Sequence, residues 1–477
     1  MKFWRYGMKI LIVDDMFFSL QHSLVKAGHI VYVLVDADID PDSFLMSPYT
    51  KAQQSRIHHV RDPSIVYDVC FDLVICGTQH DYPYYEWFTA NKNSVKSLWR
   101  KPYILMGYSQ AALMLERDRE TAFNFNESLK LSTIGLNNPA QLTFKNPKLA
   151  SKFLRDSKDN WVVKQHKNSP LDRDVNRTVL SSQVTKHAVA EMIQDQSNIN
   201  PWFVFEDNTY TGGVVFEQRV EGIEVSFGAF FNGHKFTGDY YFYEEHKGAC
   251  DGNEGGLLTG EVGTTMRYIP WNCKSRIAEI LRGLEQELNR LGCCGMIDIN
   301  CILDNKNVLW FIEYTIRFGR PTLEMQQALH KKDLATVFSA MCLDKNSVDK
   351  RPYYGQATGV TVFTYGIPLV QESGIYYPMN LPNKTKEING MVNGKGVYQL
   401  FCKYSSGKWK AHHGDRQFIC IAVSSGDYEN RVGASLKSRA MVYDMLKGYE
   451  THQLVFRKDV GTKTDELYSR LLSSSII

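Results

Sequence analysis

Short apolar runs constrain this chain's fold more than any other feature of its first hundred residues. Lys9 to Val13, Ile30 to Asp36, Asp72 to Cys76 and Tyr103 to Met106 are four to seven residues long, and the last two close on Gly77 and Gly107. Runs this short are strands buried on both faces, the mark of a parallel sheet. Ser19 to Lys26 has helical spacing, with Gly28 placed as its C-cap. The expected start is therefore an open α/β sheet. Ligands of such sheets bind at the carboxyl ends of the strands, which singles out Asp14, Asp15, Gly77, Thr78 and Ser109.

A helix from Ser109 to about Phe125 leads into a polar stretch, Leu129 to Asn146, and a strand, Trp161 to Lys164. A small subdomain over about 130–205 fits this pattern. Strands follow at Gly213 to Val220 and Ile223 to Phe231, with an Asn232-Gly233 hairpin turn before His234 to Tyr243. A helix, Lys274 to Leu291, then enters two more strands, Gly295 to Leu303 and Val308 to Ile316. After Arg351-Pro352 the pattern is β-rich with a closing helix, Gly433 to Leu446, and the tail is expected to be loosely held.

With 477 residues, the chain is long enough for about three domains of roughly 150 residues. At 43% hydrophobic and 22% charged, it can bury real cores, which excludes a disordered chain. Net charge is only +3, so no nucleic-acid partner is expected. No apolar run approaches the roughly 18–20 residues of a membrane span, and the start lacks a secretory signal layout, so the expected location is the cytoplasm. The ten cysteines contain no C-x-x-C, which favours reduced thiols over a metal or disulfide framework.

The chemistry concentrates in the hairpin Gly295 to Arg317. If Asp304 and Asn307 close a tight two-residue turn, the numbers of opposed residues sum to 611 and Asp298 faces Glu313. Directly opposed like charges are destabilising, and a cation between them would relieve the repulsion. Thr315 and Arg317 share the face of Glu313. Hard oxygen ligands beside a guanidinium suit Mg²⁺ with phosphate. Two alternatives stay open: a solvated face whose acids pair with nearby Lys or Arg, and a one-residue slip that separates the carboxylates.

Three further segments, in order, carry a resemblance. Val214-Val-Phe-Glu-Gln-Arg-Val-Glu-Gly-Ile-Glu-Val-Ser, His246-Lys-Gly-Ala-Cys-Asp-Gly-Asn-Glu-Gly and Phe311-Ile-Glu-Tyr-Thr-Ile-Arg-Phe-Gly-Arg-Pro resemble the phosphoribosylamine-glycine ligase family of ATP-grasp enzymes. The resemblance implies an N-terminal α/β (pre-ATP-grasp) domain over 1–110, an ATP-grasp domain of two subdomains over 111–350 and a C-terminal β-rich domain over 351–450, with 451–477 as tail. It also implies a ligase that forms an acyl phosphate from ATP and passes the acyl group of glycine, or a similar amino acid, to an amine. Purine biosynthesis is the family's setting.

By the same resemblance, Lys164 holds ATP phosphates, Glu217 to Val220 form the adenine hinge, and Glu224 takes the ribose hydroxyls. Glu313, Asp298 and Thr315 are the implied metal ligands, and Arg317 is implied near the transferred phosphate, with Lys164, Arg317 and Asp298 forming the catalytic set. His246 and Lys247 lead into the substrate loop, Gly248 to Gly263, and Asp251 falls in it. The implied cofactors are ATP and Mg²⁺, with Mn²⁺ as a substitute, in a monomer or homodimer acting on small molecules.

The chain also departs from the family pattern. Thr315 stands where the family has asparagine, Gln165-His-Lys-Asn-Ser-Pro lacks the lid glycines, Asp14-Asp-Met-Phe-Phe-Ser replaces an N-terminal glycine-rich segment, and Arg320 replaces an aspartate. A nucleotide-binding protein without ligase activity is therefore the alternative reading.

Overall fold

The computed structural model describes residues 7–13, 18–35, 55–78, 80–166, 178–180, 185–195, 203–206, 209–248, 251, 258–271, 274–319, 321–344, 350–364, 376–379, 391–392, 395–399, 402–405, 408–412, 417–427, 433–447 and 454–477. Asp14, Asp15, Arg320, most of the segment 165–170 and half of the loop 248–263 lie outside these residues. The chain forms two compact units, one of Met1–Leu113, Val225–Asp298 and Thr315–Ile477, the other of Met114–Glu224 and Ile299–Tyr314.

In the first unit, the four N-terminal apolar runs form a parallel sheet together with an edge strand the sequence pattern did not single out, Ile57–Val60, in the order Ile57–Val60, Ile30–Leu34, Lys9–Val13, Leu73–Cys76, Ile104–Tyr108. Ile10 and Ile12 enter one core and Leu11 and Val13 the other, so both faces are covered as expected of such runs. Cys293 and Cys294 then pair antiparallel with Tyr108 and Gly107, which continues the sheet into the strand Cys293–Leu303. Beyond it, in order, lie Ile223–Phe231, Phe236–Gly248, Leu258–Ile269, Tyr354–Thr364 and Gln417–Asp427.

The helix Arg276–Leu291 starts on Ser275, whose side chain accepts the Ala278 N–H, and ends on Gly292 in the left-handed region. Residues past 453 are well packed, contrary to a loosely held tail. The helix Thr464–Ser473 buries Leu467, Tyr468 and Leu471, and Ile476 and Ile477 are buried beyond it. The cause is shared polar and apolar chemistry. Arg267 bonds Ser435 at 2.6 Å and Asp465 at 2.7 Å and lies over the Tyr468 ring, while the N–H groups of Arg276 and Ile277 bond the carbonyls of Ser475 and Ile476.

In the second unit, a four-stranded sheet runs in the order Gln141–Phe144, Val214–Gln218, Trp161–Gln165, Thr178–Leu180. Trp161, Val163, Val214 and Phe216 point into a core with Ala150 and Leu154 of the helix Pro147–Asp156 and Val189, Ala190 and Ile193 of the helix Lys186–Gln194. Period-two alternation leaves Lys164, Val215 and Glu217 on the other face. The single helix expected from Ser109 to about Phe125 is instead two, Gln110–Arg117 and Arg119–Ser128. Asp118 is the break, because its carboxylate accepts the N–H groups of Glu120 and Thr121.

Candidate active site

Two constellations carry the expected chemistry, one in each unit. In the second unit Lys164 pairs across the strands with Val215, so Glu217, two residues on, is its diagonal neighbour on the same face. The ammonium and Glu217 Oε1 are 2.8 Å apart, with both side chains about 5% exposed. Burial lowers the Lys164 pKa and Arg119 adds to this, while Glu217 and Glu313 favour the charged form. Glu217 Oε2 has no hydrogen-bond partner among the described residues. The glutamate expected at the hinge therefore also neutralises the lysine. Val220, two residues past the end of the strand Val214–Gln218, and Glu224, at the start of the next, are half-buried.

The hairpin of this unit differs from the tight turn that opposed Asp298 to Glu313. Asn307 N–H bonds the Asp304 carbonyl, but Asp304 N–H bonds the Val308 carbonyl, and Asn307 sits at φ 65°. This is a three-residue turn with a bulge, and the pair that closes it, Asp304 and Val308, has numbers that sum to 612. One residue of slip moves every side chain to the other face, so direct opposition of the carboxylates does not follow. The alternation breaks again farther along: the rings of Phe311 and Tyr314 are 4.9 Å apart, and both rest on the helix Arg119–Ser128 through Phe123 and Phe125. Between them Glu313 is half-buried and its charge reaches Lys164. Asn300 Oδ1 is buried without a hydrogen-bond partner among the described residues.

In the first unit Asp298 is fully buried, and its oxygens accept hydrogen bonds from the Tyr241 hydroxyl and, at 3.0 Å, from Tyr243. Gly228 makes room for this: a Cβ there would collide with Asp298 Oδ1 and with the Tyr241 hydroxyl. Burial pushes the Asp298 carboxyl up to about 7, with Glu245 adding and the two phenols and Arg317 opposing. Glu245 is buried too, held by Ser226 and by Lys247 at 3.4 Å. Thr315 is buried and Arg317 half-buried, its guanidinium bonding the Phe318 carbonyl at 3.2 Å. Phe318 N–H in turn bonds the carbonyl of Gly77, so a strand end of the N-terminal sheet meets this segment.

The two tyrosines were missed from sequence, although a signal existed. Tyr241, Tyr243 and Glu245 alternate and so share a face. The residues expected in the substrate loop have separate partners. His246 is buried and its pKa falls to about 4, mainly through burial; Lys247 pairs with Glu245; and Asp251 accepts the backbone N–H of Lys458 at 2.8 Å.

Comparison with known proteins locates a family likeness in the middle of the chain. Residues 124–323 match the family model described as phosphoribosylglycinamide synthetase, ATP-grasp (A) domain. That segment is similar to the ATP-grasp domain of this family. It is 24% identical over 261 residues to phosphoribosylamine–glycine ligase of Clostridium acetobutylicum, an alignment covering 52% of this chain and 56% of that protein. The chain thus spans little more than half the length of the curated relative it matches. Among solved structures, phosphoribosylamine–glycine ligase of Thermotoga maritima is similar at TM-score 0.62 and 16% identity, over 95% of this chain and all of that one. L-amino acid ligase of Bacillus licheniformis is similar at TM-score 0.53 and 14% identity, covering 95% and 98%. Both likenesses concern the fold, a mixed α/β ATP-grasp architecture. No helix among the described residues is long and apolar enough to cross a membrane.

Proposed function

We propose that the protein is an ATP-dependent carboxylate–amine ligase, which activates an amino acid as its acyl phosphate and transfers it to an amine with release of ADP and phosphate. The observation that carries this reading is the buried Lys164–Glu217 pair, acted on by Glu313, inside the segment that matches the ATP-grasp family. A carboxylate is a poor electrophile, and phosphorylation makes it one that an amine can attack. Phosphoryl transfer then needs chiefly positioning and charge neutralisation.

The residues fit Mg-ATP. Every candidate ligand is a hard oxygen, and Glu217 Oε2 and Asn300 Oδ1 are buried acceptors without a hydrogen bond among the described residues. No group of three or more His, Cys, Asp or Glu that could hold a metal occurs among the described residues. Mg²⁺ does not require one, since it keeps waters and takes one or two carboxylates plus phosphate. Glu313 and Thr315 are the proposed metal ligands. Asp298 would join them only by giving up its two phenols, and until then it positions Tyr241 and Tyr243. When bound, the ion would neutralise the charge of the transferring group. Lys164 and Arg317 would hold phosphate oxygens, Glu217 to Val220 the adenine edge and Glu224 the ribose. His246, Lys247 and Asp251 would shape the substrate loop. The proposed domains are 1–110, 111–350 with a lid at about 130–205, and 351–450, followed by the tail 451–477.

The test is ATP-dependent phosphate release screened over amino acids, with and without phosphoribosylamine and other amines. Release requiring glycine and phosphoribosylamine together identifies the family's own reaction, and release with another pair identifies a different ligase. ATP binding by calorimetry without release for any mixture would leave the nucleotide-binding alternative, favoured by Thr315 and the glycine-poor lid, and would overturn the ligase reading.

A further inference from the structure

The six free cysteines among the described residues are not evenly spread. Cys294, on the strand Cys293–Leu303, and Cys342, the last residue of the helix Leu334–Cys342, bring their sulfurs to 3.9 Å across 48 residues of chain. Cys293 and Cys76 lie close by, and both, like Cys294, are within electrostatic reach of Tyr85. Cys294 is 9% exposed and Cys342 somewhat more. Nothing in the proposed ligase reaction uses these thiols.

We propose that Cys294 and Cys342 are a modification site: a dithiol that closes reversibly to an intrachain disulfide. A disulfide needs its sulfurs about 2 Å apart, so closure requires the pair to approach by about another 2 Å. Cys342 ends its helix, where the backbone gives most easily. The oxidant is a small disulfide such as oxidised glutathione. The Cys342 thiolate attacks one sulfur of that disulfide and expels one glutathione thiolate, leaving a mixed disulfide. The Cys294 thiolate then attacks Cys342 sulfur and expels the second, so two thiols become one S–S bond while the oxidant is reduced to two thiols.

Cys342 takes the first step because it is the more exposed and has the Lys92 ammonium in reach. The hydrogen bond with Cys294 and burial raise its pKa well above the ordinary value, so the reaction is slow at neutral pH and accelerates as pH rises. The bond would fasten the C-terminal end of a helix whose other end is already held: Asp333, its N-cap, sits 3.0 Å from His29 Nε2, and His29 Nδ1 accepts the Met8 N–H.

The experiment treats the folded full chain with oxidised glutathione at mildly alkaline pH and maps peptides by mass spectrometry without reduction. A Cys294–Cys342 cross-link that dithiothreitol reverses, with a thermal midpoint raised by several degrees, is the expected result. Cys294→Ser should stop at glutathione held on Cys342, and Cys342→Ser should show neither product. A mixed disulfide that persists on Cys342 in the unaltered chain overturns the proposal. So does a bond to Cys293 or Cys76 instead, or oxidation seen only after urea unfolding.

Discussion

Lys164 shows how a single side chain ties folding to function. Its ammonium is buried against Glu217, and a buried pair broken on one side leaves an uncompensated charge costing about 3–5 kcal/mol. Lys164→Met should therefore lower the unfolding free energy read from denaturant titration by about that much, while Lys164→Met combined with Glu217→Leu should recover most of the loss. Both variants should lose ATP-dependent phosphate release. Turnover surviving in the stable double variant would remove Lys164 from the reaction.

Asp298 makes a second prediction, through pH. Its carboxyl titrates near 7 when folded against 3.8 for the free group, so the folded state holds the proton more tightly. Its contribution to stability is complete below pH 3.8 and is lost as pH rises through about 7. At about 1.4 kcal/mol per unit the loss is at most on the order of 4 kcal/mol. Asp298→Asn should flatten the fall in stability between those limits; an unchanged slope would assign the titration to another group. The acid itself was legible in the sequence. Its phenol partners came to light only with the strand pairing, because they lie more than fifty residues away.

At the scale of elements, the helix Arg276–Leu291 was readable because its signals are local, an apolar stripe and a terminal glycine, although its start was expected at Lys274 and the Ser275 cap sets it two residues later. Ser275→Ala should cost about 1 kcal/mol for the cap. Ser275 Oγ is also 2.8 Å from the Tyr240 hydroxyl, so the measured loss in equilibrium unfolding should exceed that of Ser275→Ala combined with Tyr240→Phe relative to Tyr240→Phe alone. Equal losses would mean that the hydroxyls do not interact. The hairpin shows the opposite case. A turn one residue longer than Asp304–Asn307 suggests, and a break in alternation between Phe311 and Tyr314, are not written in local propensity; packing on Phe123 and Phe125 imposes the second.

For the whole molecule, the end of the chain carries more than its composition suggests. Removing residues 464–477 would strip Leu467, Tyr468, Leu471 and Ile476 from burial, at about 1.5–3 kcal/mol each. It would also leave Arg267 without Asp465. A loss of roughly 6–12 kcal/mol is comparable to the whole stability of an ordinary domain, so the truncated chain should lose its cooperative thermal transition. A truncation melting with the intact chain would show that this helix is an accessory.

What the sequence determined by itself was local or periodic: the parallel strands from Lys9 to Met106, the strands that place Lys164 and Glu217, and the motifs around Glu313 and Arg317. Short apolar runs, alternation and turn residues act over a few positions, so they can be read without the rest of the chain. Tertiary structure alone decided the partners. Tyr241 and Tyr243 on Asp298, Cys342 beside Cys294, and the C-terminal helix against Arg267 join residues 48 to 198 positions apart. Such contacts depend on register and on the order of strands across the sheet. No short segment encodes those, because each segment could satisfy its own pattern in several pairings and only the packed chain selects one.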